Sequence, residues 1–248
     1  GGIEVALQPG DPGRSAMTRT QRAGDTDDMT APTRLVFVRH GDAHAGFHGP
    51  IAGPTGCSGL TDLGRSQAAS LRDHLAATGR LTVDAMVTSM IPRAIETAGI
   101  VAPALGFDEV VQDCSLCEVH TGQADGVDWS EYPSRFGSFD MMAEPDRPFA
   151  PDGDSWHSFH ERVDAAMNRL ADEHRGETVM VVCHAGVIAA TMRLRFGSVD
   201  DPGTTRLVPT NTGLTTWEFG DEWTLRHYDD ARHLDVDPPV EDHRVHRF

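Results

Sequence analysis

The chain has 248 residues, 21 Lys plus Arg against 38 Asp plus Glu, and a formal charge of −17. No lysine occurs anywhere, which excludes a Walker A, Schiff-base or protein-kinase lysine. So acidic a surface repels phosphate backbones and anionic lipid heads, so neither nucleic acid nor a membrane is expected as a partner. Any anion the protein handles must be met by a local group of arginines.

Residues 1–33 are rich in Gly, Pro, Thr, Asp and Arg without a hydrophobic period, and read as a flexible tail. They do not read as a secretory signal, because no basic stretch precedes a hydrophobic core. Leu35 to Val38 is the first strand. From Thr61 to Ala77 a helix places Ala68, Leu71 and Leu75 on one face, with Thr61 as N-cap. A second strand, Val83 to Thr88, leads to a helix opened by Pro92 and continued through Ile95, Ala98 and Val101. Segment 119–154 fits neither period and is long for a connection, so it is expected to be a lid or an insertion. A helix from Ser155 to His174, a strand from Thr178 to Cys183, a helix beginning near Gly186 and strands over 212–219 and 223–228 follow. Continuous apolar strands alternating with helices predict a three-layer α/β/α sandwich with a mainly parallel sheet, spanning residues 34–231. Residues 232–248 read as a second tail.

Ligands of such sheets bind beyond the carboxyl ends of the strands. Arg39-His40-Gly41 stands directly after the first strand, and His184-Ala185-Gly186 directly after the strand ending at Cys183. Arg93 falls in the first turn of its helix, where free backbone N–H groups favour an anion. Arg39 and Arg93 offer planar forks that match phosphate oxygens.

These residues resemble the histidine phosphatase superfamily, also called the phosphoglycerate-mutase-like family. The resemblance runs through Arg39-His40-Gly41, Leu60-Thr61-Asp62-Leu63-Gly64, Ser89 to Ala98, Leu116-Cys117-Glu118 followed by Gly122 and Gly126, and His184-Ala185-Gly186, in the family's order. It implies His40 as the nucleophile that forms a phosphohistidine. Arg39, Arg93 and His184 would hold the phosphoryl oxygens, and Glu118 would be the proton donor. Asp125 and Asp128 are rival acids for that role, and Asn211 reads either as a phosphate donor or as a residue of the Pro209-Thr210-Asn211-Thr212 turn.

The expected activity is metal-independent hydrolysis of a small phosphorylated metabolite in the cytoplasm, with no cofactor. The alternatives are a cofactor-dependent phosphoglycerate mutase and a non-catalytic binder of phosphorylated ligands. Mutases usually follow the nucleophile with Glu-Thr or Glu-Ser and then Trp-Asn, whereas this chain reads Asp42-Ala43-His44. Segment 119–154 also has only Arg135 and Arg147 as permanent cations. Glu118, Gly122 and Gly126 have a spacing more like the phosphatase members, although Ala124 replaces an aromatic common there. No metal is expected: the pairs His44/His48 and His157/His160 lack a third ligand, and Cys114 and Cys117 have zinc or redox spacing but no partner pair, so they read as packing cysteines. The cluster Trp129, Tyr132, Phe136, Phe139, Met141, Met142, Phe149 and Trp156 reads as local core, with a substrate wall as the alternative.

Overall fold

The computed structural model describes residues 31–44, 49–138, 140–200 and 206–234, so most of both expected tails lies outside the described residues. Six strands form one sheet: β1 (Thr33–Arg39), β2 (Ala85–Thr88), β3 (Val111–Gln112), β4 (Thr178–Cys183), β5 (Leu214–Phe219) and β6 (Trp223–Asp230). Their order is β3-β2-β4-β1-β5-β6. The first four run parallel, and β5 and β6 extend the sheet in antiparallel pairings. The β5–β6 connection spans only Gly220, Asp221 and Glu222, too short for the crossover a parallel pair needs. Strand β3 was not legible because its two residues are exposed and carry no alternation.

Side-chain alternation along the central strands divides the core in two. Leu35, Phe37, Val179 and Val181 pack beneath α4 (Trp156–Glu173) and α5 (Ala185–Phe196). Val38, Met180 and Val182 face α1 (Asp62–Thr78) and α2 (Pro92–Leu105). Thr61 caps α1 as expected, its hydroxyl accepting from Gly64 N at 3.0 Å, and Ser155 forms a reciprocal capping box with Ser158 on α4.

Segment 119–154 holds the short helix α3 (Tyr132–Phe136), and its Ala124, Tyr132, Met141, Phe149 and Ala150 form a separate apolar cluster with Ile51. Trp129, Phe136 and Trp156 pack against that cluster, which is the local-core reading, while Met142 is exposed and Phe139 lies outside the described residues. At the far end, His233 bonds the Thr212 hydroxyl at 2.8 Å. Among the described residues no helix is long and apolar enough to cross a membrane.

Candidate active site

Register brings the histidines together. Arg39 on β1 lies opposite Cys183 on β4, so the residues that follow, His40 and His184, leave adjacent parallel strands at the same sheet edge. His40 N donates to the Cys183 carbonyl at 2.9 Å, and the two imidazole centroids are 5.2 Å apart. Ser89, following β2, enters the same edge, with its N–H on the Val182 carbonyl at 2.9 Å.

His40 is buried, and its Nδ1 lies 2.6 Å from the Gly41 carbonyl. A carbonyl only accepts, so the proton sits on Nδ1 and Nε2 carries the lone pair. Arg93 Nε donates to that Nε2 at 3.0 Å, and Arg93 Nη1 donates to the Ala52 carbonyl at 2.7 Å. Burial, followed by the charges of Arg93 and Arg39, holds the His40 pKa well below 6.5 against the opposing pull of the Gly41 carbonyl. His184 is fully buried and likewise shifted well below 6.5, by burial first and then by Arg93 and its neighbours. Both rings therefore stay neutral near pH 7, the state a nitrogen nucleophile requires.

Gly41 is fixed by close approach: an added Cβ would sit 2.5 Å from the Gly64 carbonyl oxygen of α1. Its N–H donates to the Thr97 hydroxyl at 3.0 Å, which ties the loop after β1 to α2. The Asp42 N–H donates to Gln67 Oε1 at 2.8 Å, a second contact that holds this loop against α1.

Glu118 arrives from the loop after β3, where Asp113 N donates to the Thr88 carbonyl at 2.8 Å. The Glu118 Oε2 accepts from Gly186 N at 2.9 Å, so its carboxylate caps the N-terminus of α5, one turn edge from His184. Arg162 on α4 fixes this loop: its Nη1 donates to the carbonyls of Ser115 and Cys117 at 3.0 and 2.9 Å, and its Nη2 to that of Glu118 at 3.1 Å. Asp154 Oδ2 completes the arrangement, 2.5 Å from Arg162 Nη2 and 2.9 Å from His120 N. Sequence reasoning missed Arg162 because an arginine on an amphipathic helix carries no sign that its partners are carbonyls from another segment.

The rival acids are committed elsewhere. Asp125 accepts from Thr55 N and Gly56 N, and Asp128 from the Ser130 N–H and hydroxyl. Arg39 Nη1 donates to the Pro209 carbonyl at 2.6 Å. Asn211 is buried, and its Nδ2 donates to the His40 carbonyl at 2.8 Å, so it braces the backbone of His40 from within the turn closed by Gly213 N on Thr210 O.

His157 places Nδ1 on Asp146 and Nε2 on Asp200, and His160 Nδ1 faces the Trp156 carbonyl, so that pair does not converge on an ion. His48 lies outside the described residues. Cys114 and Cys117 do gain a neighbour that pairwise reading passed over: His120, three residues after Cys117, closes a group whose ligand atoms lie within 4.8 Å of one another.

The model of the histidine phosphatase superfamily (branch 1) matches residues 35–231. The chain belongs to that superfamily. Within it, the phosphoglycerate mutase-like protein 4 of Arabidopsis thaliana is 28% identical over 215 residues, covering 85% of this chain and 90% of the relative. A metal-independent phosphoserine phosphatase of the same plant is 29% identical over 207 residues, covering 82% and 83%. Among solved structures, a phosphoglycerate mutase from Bacillus anthracis str. Sterne superposes with a TM-score of 0.65 at 20% identity, over 84% of this chain and 97% of that one. A mutant phosphoserine phosphatase from Entamoeba histolytica, in complex with phosphoserine, gives 0.63 at 22% identity, over 82% and 99%. These two structures establish the α/β fold of this histidine phosphatase superfamily member.

Proposed function

We propose that the protein is a metal-independent phosphomonoesterase that hydrolyses a small phosphorylated metabolite through a phosphohistidine at His40. The observation that carries this reading is the state of His40: a buried, neutral imidazole whose Nδ1 is anchored on Gly41 and whose Nε2 lone pair faces the Arg93 guanidinium.

In the first step Nε2 attacks phosphorus in line with the ester oxygen, forming the N–P bond as the P–O bond breaks. Glu118, in its acid form, gives its proton to the departing alkoxide. Arg39, Arg93 and His184 supply the positive and polar groups that balance the equatorial oxygens, where phosphoryl transfer needs most help. In the second step the Glu118 carboxylate takes a proton from water, which attacks phosphorus and returns His40 as a neutral imidazole. Phosphoserine phosphatase activity in a relative 29% identical to this chain supports a small phosphomonoester as substrate. The cytoplasmic reading is supported by the four free cysteines.

Phosphate release should be measured across phosphoserine, phosphoglycerates, sugar phosphates, nucleotides and phosphohistidine peptides, with turnover quenched without acid. Label on His40 and loss of activity in His40→Ala are expected. Label on another residue, or full activity in His40→Ala, overturns the mechanism.

A further inference from the structure

Just outside the phosphate-facing edge, the turn Cys114–Leu116 is a 3₁₀ helix, in which side chains three apart eclipse one another. That geometry sets the Cys114 and Cys117 thiols on one side. The chain then returns through Glu118 and Val119 to bring His120 Nε2 to 3.4 Å from Cys114 Sγ, with all three ligand atoms within 4.8 Å. A tetrahedral Zn²⁺ with bonds of about 2.3 Å to sulfur and 2.0–2.1 Å to nitrogen needs ligand atoms roughly 3.5–3.8 Å apart. The cluster is therefore near a metal-ready spacing before any ion binds.

We infer that Cys114 Sγ, Cys117 Sγ and His120 Nε2 form a binding site for a thiophilic divalent cation, with Zn²⁺ the best fit, and that its occupancy slows the phosphatase centre beside it. The ligand set is soft and three-membered, with Cys114 exposed so that the fourth position opens to solvent. Behind it, Asp154 Oδ2 stands 3.6 Å from His120 Nδ1 and is itself held by Arg162, which is how a carboxylate orients a ligating imidazole from outside the coordination sphere. A simple disulfide pair would need neither His120 nor this carboxylate.

The coupling runs through Ser89. Its hydroxyl donates to Cys117 Sγ at 3.4 Å and lies 2.8 Å from His184 Nε2, while its oxygen also accepts from Ile91 N at 3.1 Å. The single hydroxyl proton can go to only one of the two: directed at Cys117 Sγ it leaves His184 Nε2 to donate, and directed at His184 Nε2 it leaves the Cys117 thiol to donate to the Ser89 oxygen. A metal-bound thiolate accepts more strongly than a thiol and would hold that proton, so His184 must turn an Nε2–H toward Ser89. Its Nδ1, buried and without a hydrogen-bond partner among the described residues, then presents a lone pair, which repels a phosphoryl oxygen. Glu118 lies inside the same chelate loop, between Cys117 and His120, so the ion also restrains the proposed acid. The coupling rests on the phosphatase reading, whereas the ion site does not.

The test uses the full chain, reduced with a phosphine and handled without oxygen. Titration with Co²⁺ should give one equivalent with thiolate-to-metal charge-transfer bands and the intense visible bands of tetrahedral cobalt. Zn²⁺ should displace it. His120→Ala should weaken the affinity at least about tenfold, and Cys114→Ser should diminish the charge-transfer band. Absence of thiolate bands, or bands unchanged in both variants, overturns the site; such a result would assign any bound ion to the other histidines. Zn²⁺ occupancy should lower nitrophenyl phosphate hydrolysis about fivefold or more in the parent but not in Cys114→Ser. Equal inhibition of both proteins would place the inhibitory ion on the catalytic histidines, and thiolate bands without any change in rate would overturn the coupling.

Discussion

Arg93 Nε donates a 3.0 Å hydrogen bond to His40 Nε2, so the guanidinium occupies the lone pair that attacks phosphorus in the proposed mechanism. A phosphoryl group entering this edge supplies better acceptors than an imidazole, and the guanidinium can transfer to its oxygens while freeing the nucleophile. Arg93 is anchored for this by a second bond, Nη1 to the Ala52 carbonyl at 2.7 Å.

Removing that fork should cost catalysis more than stability. Arg93→Ala is expected to lower kcat/KM by about 10²–10³, the range seen for a lost transition-state donor. Arg93→Lys should recover little of it, because a point charge cannot hold Nε and Nη1 contacts together. Steady-state kinetics on both variants checks this; wild-type rates in Arg93→Lys would refute the fork.

Protonation should be read histidine by histidine by NMR. His40 and His184 are held well below 6.5, burial being the leading cause, whereas half-buried His157 is raised above it by the hydrogen bonds it makes to the Asp146 and Asp200 carboxylates. On acidification His157 is therefore expected to protonate before the two active-site rings. For stability the sign follows: with folded values below the unfolded one, the unfolded chain binds more protons between them. The stabilisation from the neutral rings is complete above about pH 6.5 and is lost progressively as pH falls toward their folded values. Denaturant midpoints that rise on acidification from pH 7 to 5 would contradict this.

Glu118→Gln separates leaving groups. An alkoxide departing from an alkyl phosphate is strongly basic and needs a proton in the transition state, whereas nitrophenolate does not. Single-turnover phosphorylation of His40 should drop by about 10²–10⁴ for alkyl phosphates and far less for nitrophenyl phosphate. Equal losses would remove Glu118 from the acid role.

Two glycines give a paired steric test. A Cβ on Gly186 would fall 2.1 Å from Glu118 Oε1, whereas one on Gly99 meets nothing within 4 Å. Gly186→Ala should displace the carboxylate and reproduce the leaving-group signature of Glu118→Gln. Gly99→Ala, inside α2, should leave kinetics unchanged and stabilise by about 0.5–1 kcal/mol. Melting curves and single-turnover rates on both variants decide it.

Phosphoglycerate interconversion should be slow beside hydrolysis. Arg147, one of the two permanent cations of segment 119–154, spends its guanidinium on Glu144 and the Phe136 carbonyl, and Arg135 pairs with Glu131. Neither is left to hold the acidic second group of a bisphosphoglycerate. Fast isomerisation stimulated by 2,3-bisphosphoglycerate would reverse this ranking.

Most of the elements and the family are marked in the sequence: the apolar runs of β1 and β4, the Thr61 and Ser155 caps, Pro92 at the start of α2, and the order of the Arg39-His40-Gly41, Arg93 and His184 segments are all local signals. Local signals suffice there because burial on both faces and capping leave marks within a few residues of where they act. Only the tertiary structure decided which nitrogen of His40 is bare, that Asn211 braces the His40 carbonyl, that Arg162 and Asp154 hold the Glu118 loop, and that His120 joins two cysteines. Apart from the His40 contact with the adjacent Gly41 carbonyl, each of these depends on partners 34 to 171 residues apart or on a turn that folds three side chains onto one point. Such meetings follow from strand register and helix packing, which no short window of sequence encodes.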